Sequence, residues 1–252
     1  MKTNHYLYTV MVKSKYDSGI NIIGSIPDTA EMINYINSQS AHTVDNGFRF
    51  RSEKSTKRFV AAISAHILRF HSSKHRRLFM SALASEEFSL PNKYLIVFWQ
   101  LTYSNLLFRR ITEEVFMKAV YQGRSALASD EVLSFLHFLK ETEKTSINWS
   151  EMTLKILSSK YLTLLKKLGL AEGTVRKQII HPIIPNELFV YFIRWTQAVC
   201  PEDRTLLNPF IKFGFCDNDS LITRLKKVDN ISYWDITQIG TDITIDIKDD
   251  DQ

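Results

Sequence analysis

The chain has 252 residues, of which 44% are hydrophobic and 23% charged, a composition typical of a folded globular protein rather than a disordered one. Glycine and proline number only 8 and 6, which favours long helices over a β-protein with many turns. The two cysteines, Cys200 and Cys216, are too few for a disulfide framework and form no CxxC pair. We therefore expect two free thiols in a reducing compartment.

The net charge of +5 is unevenly distributed along the chain. Residues 51–177 contain 21 Lys and Arg against 11 Asp and Glu, which gives +10. Residues 178–252 contain 7 against 12, which gives −5, and residues 1–50 are balanced. A polyanion is therefore expected to be attracted to the middle of the chain.

The N-terminal fifth is predicted to be a small mixed element. Residues 5–13 are aromatic and β-branched and predict a strand, and residues 44–50 contain an Asn-Gly turn before an extended piece. Between them, residues 28–38 predict a short helix capped by Asp28. The N-terminus has no small-residue cleavage site, so no signal peptide is predicted.

A helical body follows this element. Residues 52–70 and 72–84 carry apolar side chains at helical spacing, and a helix over about 92–109 is apolar nearly all round. Polar residues interrupt that last stretch, and a membrane span needs roughly 20 predominantly apolar residues. We therefore predict a buried core helix and no membrane partner. A further helix is predicted to begin at Thr112 and to end before Gly123.

The helix predicted over 150–168 has the clearest boundaries in the chain. Ser150 stands at its N-cap, and Trp149 and Leu154 occupy the positions of a hydrophobic staple. Gly169 stands at C′, where a left-handed residue ends many helices. A leucine stripe between these ends predicts one buried face.

A helix followed by a hairpin is predicted twice, near 150–184 and again near 219–247. In the second case Asp219 or Ser220 is the predicted helix cap, and an Ile-Gly pair forms the predicted hairpin turn. Helix, then hairpin, is the order of elements in a winged helix. The fold class predicted for the whole chain is mainly α, a multi-helical body with winged-helix-like units and a small strand-containing N-terminal element.

Three groups of basic residues are candidate contacts with DNA phosphates. They lie within residues 54–58, 74–77 and 155–177. On the helix over 150–168, the lysines lie on an arc opposite the leucine stripe and share it with Ser159 and Thr163. Small hydroxyls and long cations together suit a nucleic-acid backbone, although a solvated helix face without a partner explains the same pattern. The candidate DNA-binding residues are Lys54, Lys57, Arg58, Lys74, Arg76, Arg77, Lys155, Lys160, Lys166, Lys167, Arg176 and Lys177.

Catalytic and metal-binding signatures are absent from the sequence. It contains no GxxxxGK[ST], GxGxxG or GxSxG motif, so we predict that the protein is not an enzyme and needs no cofactor. His71 and His75 are four residues apart, but no Asp, Glu or Cys stands at HExxH-like spacing. No metal site is therefore predicted.

The stretch "NWSEMTLKILSSKYLTLLKKLGLAEG" followed by "IIHPII" resembles BrxA-like proteins, small accessory proteins of the BREX phage-defence systems of bacteria. Two upstream pieces, "STKRFVAAISAHILRF" and the apolar helix near 94–110, are similar as well, so the resemblance covers about residues 50–200. The strand-rich N-terminal fifth and the acidic C-terminal hairpin depart from the shorter family members. The residues that carry the resemblance are Trp149, Ser150, Glu151, Thr153, Leu157, Leu168 and Pro182.

The resemblance implies a mostly helical, non-catalytic DNA-binding subunit of a multi-gene system, in which other proteins carry out methylation, ATP hydrolysis and restriction. We therefore predict a cytoplasmic accessory protein that binds duplex DNA through its basic middle region, with weak sequence preference, and that contacts other defence subunits. The alternative is an interaction scaffold that does not bind DNA directly. The predicted division is 1–50, a mixed element; 51–128, helical; 129–200, winged-helix-like; and 201–252, a helix–hairpin extension.

Overall fold

The computed structural model describes residues 16–41, 52–143 and 147–248. The strand predicted over 5–13 and the turn predicted within 44–50 lie outside these residues. In the described part, helices predominate and the sheets are small and antiparallel, so the prediction of a mainly α protein is confirmed.

Helices account for most of the described backbone. The α-helices are α1 (Ile20–Ile23), α2 (Thr29–Ala41), α3 (Glu53–His66), α4 (Ser73–Ala84), α5 (Leu90–Ser104), α6 (Leu106–Ile111), α7 (Lys118–Tyr121), α8 (Ser129–Thr142), α9 (Glu151–Lys167), α10 (Asn186–Val199) and α11 (Asn218–Leu225). A π-helical section, Thr112–Met117, joins α6 to α7, and short 3-10 helices span Ile211–Gly214 and Val228–Asn230. The strands are β1 (Ala126–Leu127), β2 (Ala171–Glu172), β3 (Lys177–Ile179), β4 (Trp234–Ile239) and β5 (Asp242–Ile247).

Helix α5 is enclosed by the body because it has apolar residues on every side. All side chains from Leu95 to Leu101 are buried, which confirms the prediction of a buried core helix. The indole of Trp99 donates to the carbonyl oxygen of Phe213 at 2.9 Å and stacks near Trp195. Within the described residues, no helix combines the length and the apolar character needed to cross a membrane.

Asn105 ends α5 earlier than predicted. Its backbone is extended, and its side-chain oxygen accepts from the backbone N–H of Phe108 at 2.8 Å, so one predicted helix becomes two. The start predicted at Thr112 is also wrong, because Thr112 is buried within a continuous helical run over 106–121. Its hydroxyl accepts a hydrogen bond from Tyr161 at 3.1 Å, which ties this run to α9.

The helical run over 106–121, β1, α8, α9 and the β2–β3 hairpin form what we call the central unit, residues 106–179. Its three strands are antiparallel and ordered β1-β3-β2, so β3 lies in the middle. Gln178 of β3 faces both Ala126 of β1 and Glu172 of β2. The hairpin is thereby attached to the strand that precedes α8.

Residues 218–247, which we call the C-terminal unit, consist of α11 and the β4–β5 hairpin. Asp217 caps α11 by accepting from the backbone N–H of Ser220 at 2.7 Å, so the predicted cap at Asp219 or Ser220 is wrong. The hairpin turns at Gly240, as predicted from the Ile-Gly pair. Among the described residues, β4 and β5 pair only with each other, apart from one isolated bridge from the preceding loop.

The N-terminal helix α1 packs between α3 and α9. The approach to α9 is close, since a Cβ atom on Gly24 would lie 2.5 Å from the carbonyl oxygen of Lys160. Asp28 accepts from the backbone N–H of Ala30 at 2.7 Å and starts α2, as predicted. One cluster of buried side chains extends from Ile20 to Ile245, and the division into four segments stays a prediction.

Candidate nucleic-acid interface

Local sequence signals determine where α9 begins and ends. The Ser150 hydroxyl accepts from the backbone N–H of Thr153 at 3.2 Å, which confirms the predicted N-cap. Gly169 follows the helix with a φ of 71°, the left-handed conformation that glycine adopts most readily. The leucine stripe between these ends is buried, so the opposite side of α9 is turned away from the core.

Two hydrogen bonds hold α9 at a fixed rotation about its axis. Tyr161 is fully buried and donates to Thr112, and burial raises the pKa of its phenol well above the usual range. Ser158 is also fully buried and donates to the carbonyl oxygen of Ser129 at the start of α8, at 2.6 Å. Because both bonds come from the inner side, the outer side is presented in one orientation.

The outward side of α9 mixes cations, hydroxyls and apolar groups. Lys155, Ser159 and Lys166 are exposed, and the side chain of Met152 is 67% exposed. We call this surface the α9 face, and its residues are Met152, Lys155, Ile156, Ser159, Thr163 and Lys166. These positions recur at three or four residues and therefore form one continuous stripe.

One edge of the α9 face is continuous with the turn of the β2–β3 hairpin. Lys166 Nζ donates to the carbonyl oxygen of Gly173 at 3.3 Å, and Lys177 Nζ donates to the same oxygen at 2.9 Å. Lys177 also donates to the carbonyl of Thr174 and is only 8% exposed. Burial, and secondarily the charge of Lys166, lowers the pKa of Lys177. Of the two lysines, Lys166 is the one turned to solvent.

Arg176 lies at the exposed end of the same hairpin. Arg124 and Glu131 form an ion pair nearby at 2.6 Å, and Glu131 accepts from the backbone N–H of Ala128 at the start of α8. The hydrogen bond from Arg124 lowers the pKa of Glu131, with a smaller contribution from Arg176. Lys166 and Arg176 therefore lie at the same hairpin turn, and Lys155 lies farther along the outward side of α9.

The other edge of the α9 face meets α1. Lys167 is half-buried, and its ammonium group donates to the carbonyl oxygens of Gly24, at 2.9 Å, and Ile26. The carbonyl oxygen of Lys167 in turn accepts from the hydroxyl of Thr29 at 3.1 Å. Burial, followed by the charge of the half-buried Lys160, lowers the pKa of Lys167. Lys167 therefore holds the N-terminal segment against α9.

The remaining predicted contacts lie on α3, which packs against the opposite side of α1 from α9, and on α4, which packs against α2, α5 and α10. Lys54, Lys57 and Arg58 are exposed in the first turns of α3, and Lys57 pairs with Glu53 at 2.6 Å on the open surface. Such exposed pairs contribute little to stability. The other three, exposed at the start of α4, are Lys74, Arg76 and Arg77.

His75 is separated from the cations around it because it points into the core. It is fully buried, and its Nε2 lies 2.8 Å from the side-chain oxygen of Gln100. Its Nδ1 accepts from the backbone N–H of His71, which assigns the proton to Nε2. Burial lowers the pKa of His75 to about 4, so the ring is neutral at pH 7. Within the described ranges, no three His, Cys, Asp or Glu side chains are grouped to hold a metal ion.

Sequence reasoning identified the cations of the α9 face but missed two of its apolar members. Met152 and Ile156 are 67% and 37% exposed, and they are one helical turn apart. The signal was present in the sequence, because a spacing of 100° per residue places Met152 at the centre of the lysine arc. The predicted phosphate contacts were cations and hydroxyls, so these two apolar side chains were not among the predicted contacts.

The fold and this face define a helical protein with an exposed, partly basic helix beside a small antiparallel sheet. A family model described as BrxA matches residues 29–194, about two thirds of the chain, and the chain belongs to the BrxA family. The suspected resemblance is thereby confirmed, and it indicates a component of a BREX phage-defence system. Comparison with curated proteins and with solved structures returns no significant match.

Proposed function

We propose that the protein is a non-catalytic DNA-binding subunit of its defence system, working in the cytoplasm. In this proposal the central unit is a winged helix, α9 lies in the major groove of duplex DNA, and the β2–β3 hairpin is the wing. The observation that carries the proposal is the exposure of Lys155, Lys166 and Arg176 on the α9 face and the adjoining hairpin turn. Long cations at these places suit phosphates on both sides of a groove.

The order of elements in the central unit supports the same proposal. A helical run, a strand, two helices and a hairpin follow one another, and the hairpin's second strand pairs with the first strand. A major groove about 12 Å wide admits one α-helix. The leucines of α9 are buried and its opposite face is exposed, so the helix can enter a groove without unfolding its own core.

The basic groups on α3 and α4 are proposed as additional phosphate contacts. Replacing Arg76 and Arg77 together by Glu removes two exposed cations while leaving the buried His75 in place. We expect weaker duplex binding with an unchanged unfolding transition. Unchanged affinity would remove the α4 cluster from the interface.

A salt titration of duplex binding, followed by fluorescence anisotropy, tests the proposal. Each phosphate neutralised contributes about −0.9 to the slope of log K against log salt on B-DNA. We therefore expect Arg176→Gln to lower the magnitude of the slope by about one unit. The charge-matched control is Lys227→Gln in the C-terminal unit, where Lys227 is exposed as well. Absence of binding at low salt would contradict the proposal.

A second candidate function, docking of other defence subunits, is favoured by a cleft of about 370 Å³ between α4 and α10. Its walls include Phe88, Tyr191 and Tyr233, and such aromatic side chains are enriched at protein interfaces. If this candidate is correct, a partner co-purifies after nuclease treatment, and Phe88→Glu removes it. Loss of the partner on nuclease treatment would contradict it.

A further inference from the structure

The apolar members of the α9 face are not explained by phosphate binding. Met152 is 67% exposed and Ile156 is 37% exposed, and they lie four residues apart in the first two turns of α9. Phosphate oxygens are contacted by cations, hydroxyls and N–H groups, and neither side chain offers one. A single exposed apolar residue is ordinary, but two adjacent ones among lysines on a proposed recognition helix form an apolar patch that phosphate contacts leave unused.

The two side chains occupy the N-terminal part of α9, which is the part that would contact base edges in a groove. In helix-turn-helix proteins, residues near the N-terminus of the recognition helix contact the base edges. Lys166, farther along, reaches the turn of the hairpin, and Lys167 is engaged with α1. In this orientation Lys166 and Lys167 lie at the end of α9 that is farther from the bases. Met152 and Ile156 lie at the end that is nearer to them.

The major groove displays one apolar substituent among the four bases, the C5-methyl group of thymine. We propose that Met152 and Ile156 contact thymine methyl groups and give the protein a preference for thymine-containing major grooves. This inference rests on the proposed function, and it names the part of the DNA that the α9 face recognises. Lys155, between the two in sequence, supplies a phosphate contact that carries no base preference.

A protein partner is the competing occupant of this surface, and the charge distribution favours DNA. Lys155 and Lys166 lie along one edge of the apolar pair on the same face, and Arg176 is exposed on the adjoining hairpin. The surface is therefore complementary to a polyanion over a length of several turns. The tip of the hairpin also exposes Val175, which is 89% accessible, next to Arg176. A partner protein would have to be acidic around an apolar centre.

Replacing thymine by uracil in the same mixed-sequence duplex tests the inference, because the exchange removes only the methyl group. Anisotropy titrations at one fixed salt concentration compare the two duplexes. We expect the wild-type protein to bind the uracil duplex about fourfold more weakly for each methyl group it buries. The double variant Met152→Gln, Ile156→Gln should bind both duplexes equally and keep the wild-type salt slope.

The matched control is Lys155→Gln on the same face. It should weaken binding to both duplexes by the same factor and lower the salt slope by about one unit, with the preference for thymine retained. Thermal unfolding of all variants checks that these exposed substitutions leave the fold intact.

The outcomes separate the inference from the function on which it rests. Equal wild-type affinity for the two duplexes would overturn thymine recognition and leave DNA binding standing. A preference for thymine that survives in the double variant would also overturn it, because other residues would then carry the preference. If neither duplex binds at low salt, the proposed function itself fails. If the double variant loses a protein partner and keeps its DNA-binding profile, the apolar pair belongs to a protein interface and the inference is wrong.

Discussion

The central unit and the C-terminal unit both end in a helix followed by a hairpin, and they use their cations differently. In the central unit α9 has 17 residues and leaves Lys155 exposed. In the C-terminal unit α11 has 8 residues, and Arg224 is turned inward over the ring of Phe189 at 4.1 Å. Element order alone therefore does not predict an interface. The prediction depends on which side chains are exposed on the outer face of the helix.

Their hairpins differ in the same way. The β2–β3 hairpin is joined to β1 and ends in an exposed turn whose carbonyl oxygens accept from Lys166 and Lys177. The β4–β5 hairpin is held against the body, where Gln197 donates to the carbonyl oxygen of Ile245 at 2.6 Å and Arg204 pairs with Asp246. We infer a recognition role for the first unit and a structural role for the second, and four experiments test this difference.

The largest expected effect is on stability, from Trp234→Ala in the C-terminal unit. Trp234 is 1% exposed, and its indole donates to the carbonyl oxygen of Leu225 at 3.0 Å. The substitution leaves a cavity and an unsatisfied carbonyl, and we expect a loss of about 3–5 kcal/mol in the free energy of unfolding. Urea denaturation measures this loss. A loss below about 1 kcal/mol would show that the C-terminal unit is not part of the core.

The second-largest expected effect is also on stability, and it distinguishes Arg224, which points inward, from Lys155, which points to solvent. Arg224 donates to the carbonyl oxygens of Ile184 at 2.8 Å and Pro185 at 3.3 Å. We expect Arg224→Met to lower the free energy of unfolding by about 2 kcal/mol, because these carbonyls lose a charged donor. Lys155→Met on α9, its control, should change stability by less than about 0.5 kcal/mol. Similar losses of unfolding free energy for both variants would contradict the distinction between the two units.

The two hairpin turns provide a third comparison, through Gly173→Ala and Gly240→Ala. Both glycines have positive φ, 90° and 60°, where an L side chain costs roughly 1–2 kcal/mol. At Gly173 the new Cβ would also lie 2.7 Å from the carbonyl oxygen of Arg176, whereas at Gly240 no described heavy atom lies within 4 Å. We expect the larger loss of stability at Gly173, measured by urea denaturation, and a loss of duplex affinity only there. Equal effects on affinity would contradict a special role for the β2–β3 turn.

The smallest expected effect is on affinity alone. Lys155→Glu should weaken duplex binding about tenfold at low salt, because one phosphate contact is lost and a repulsion is added. Lys227→Glu, at an equally exposed position in the C-terminal unit, should weaken it less than about twofold, because only the net charge changes. Anisotropy titrations of both variants decide this. Equal losses of duplex affinity in the two variants would indicate that net charge attracts the DNA and that no defined face binds it.

Local signals made the boundaries of α9 and the β4–β5 turn predictable from sequence. Ser150, Gly169 and Gly240 act through backbone groups within a few residues of themselves, so their roles follow from spacing. The direction of Lys167 was not predictable, because its acceptors belong to Gly24 and Ile26, more than a hundred residues earlier. A helical wheel places Lys167 on the basic arc but contains no information about what packs beside that arc.

The basic window around His71–Arg77 shows the same limit. His75 stands among Lys74, Arg76 and Arg77 in sequence, and the structure separates it from them, because α4 turns His75 toward Gln100 and the three cations toward solvent. The break at Asn105 was likewise hidden, since an asparagine within an apolar run gives no sign of which backbone N–H it will cap. Both side chains are also held by tertiary contacts that a single sequence does not display, His75 with Gln100 and the Asn105 side-chain nitrogen with His66 Nδ1 at 3.3 Å.

Site-specific photocrosslinking tests the central claim most directly. A benzoylphenylalanine replaces Ser159, which is exposed in the middle of the α9 face, or Thr237, which is exposed on β4. Each protein is irradiated with labelled duplex DNA at low salt. We expect a covalent protein–DNA product from position 159 and none above background from position 237. Equal products at both positions, or a product from position 237 alone, would contradict the assignment of DNA recognition to α9.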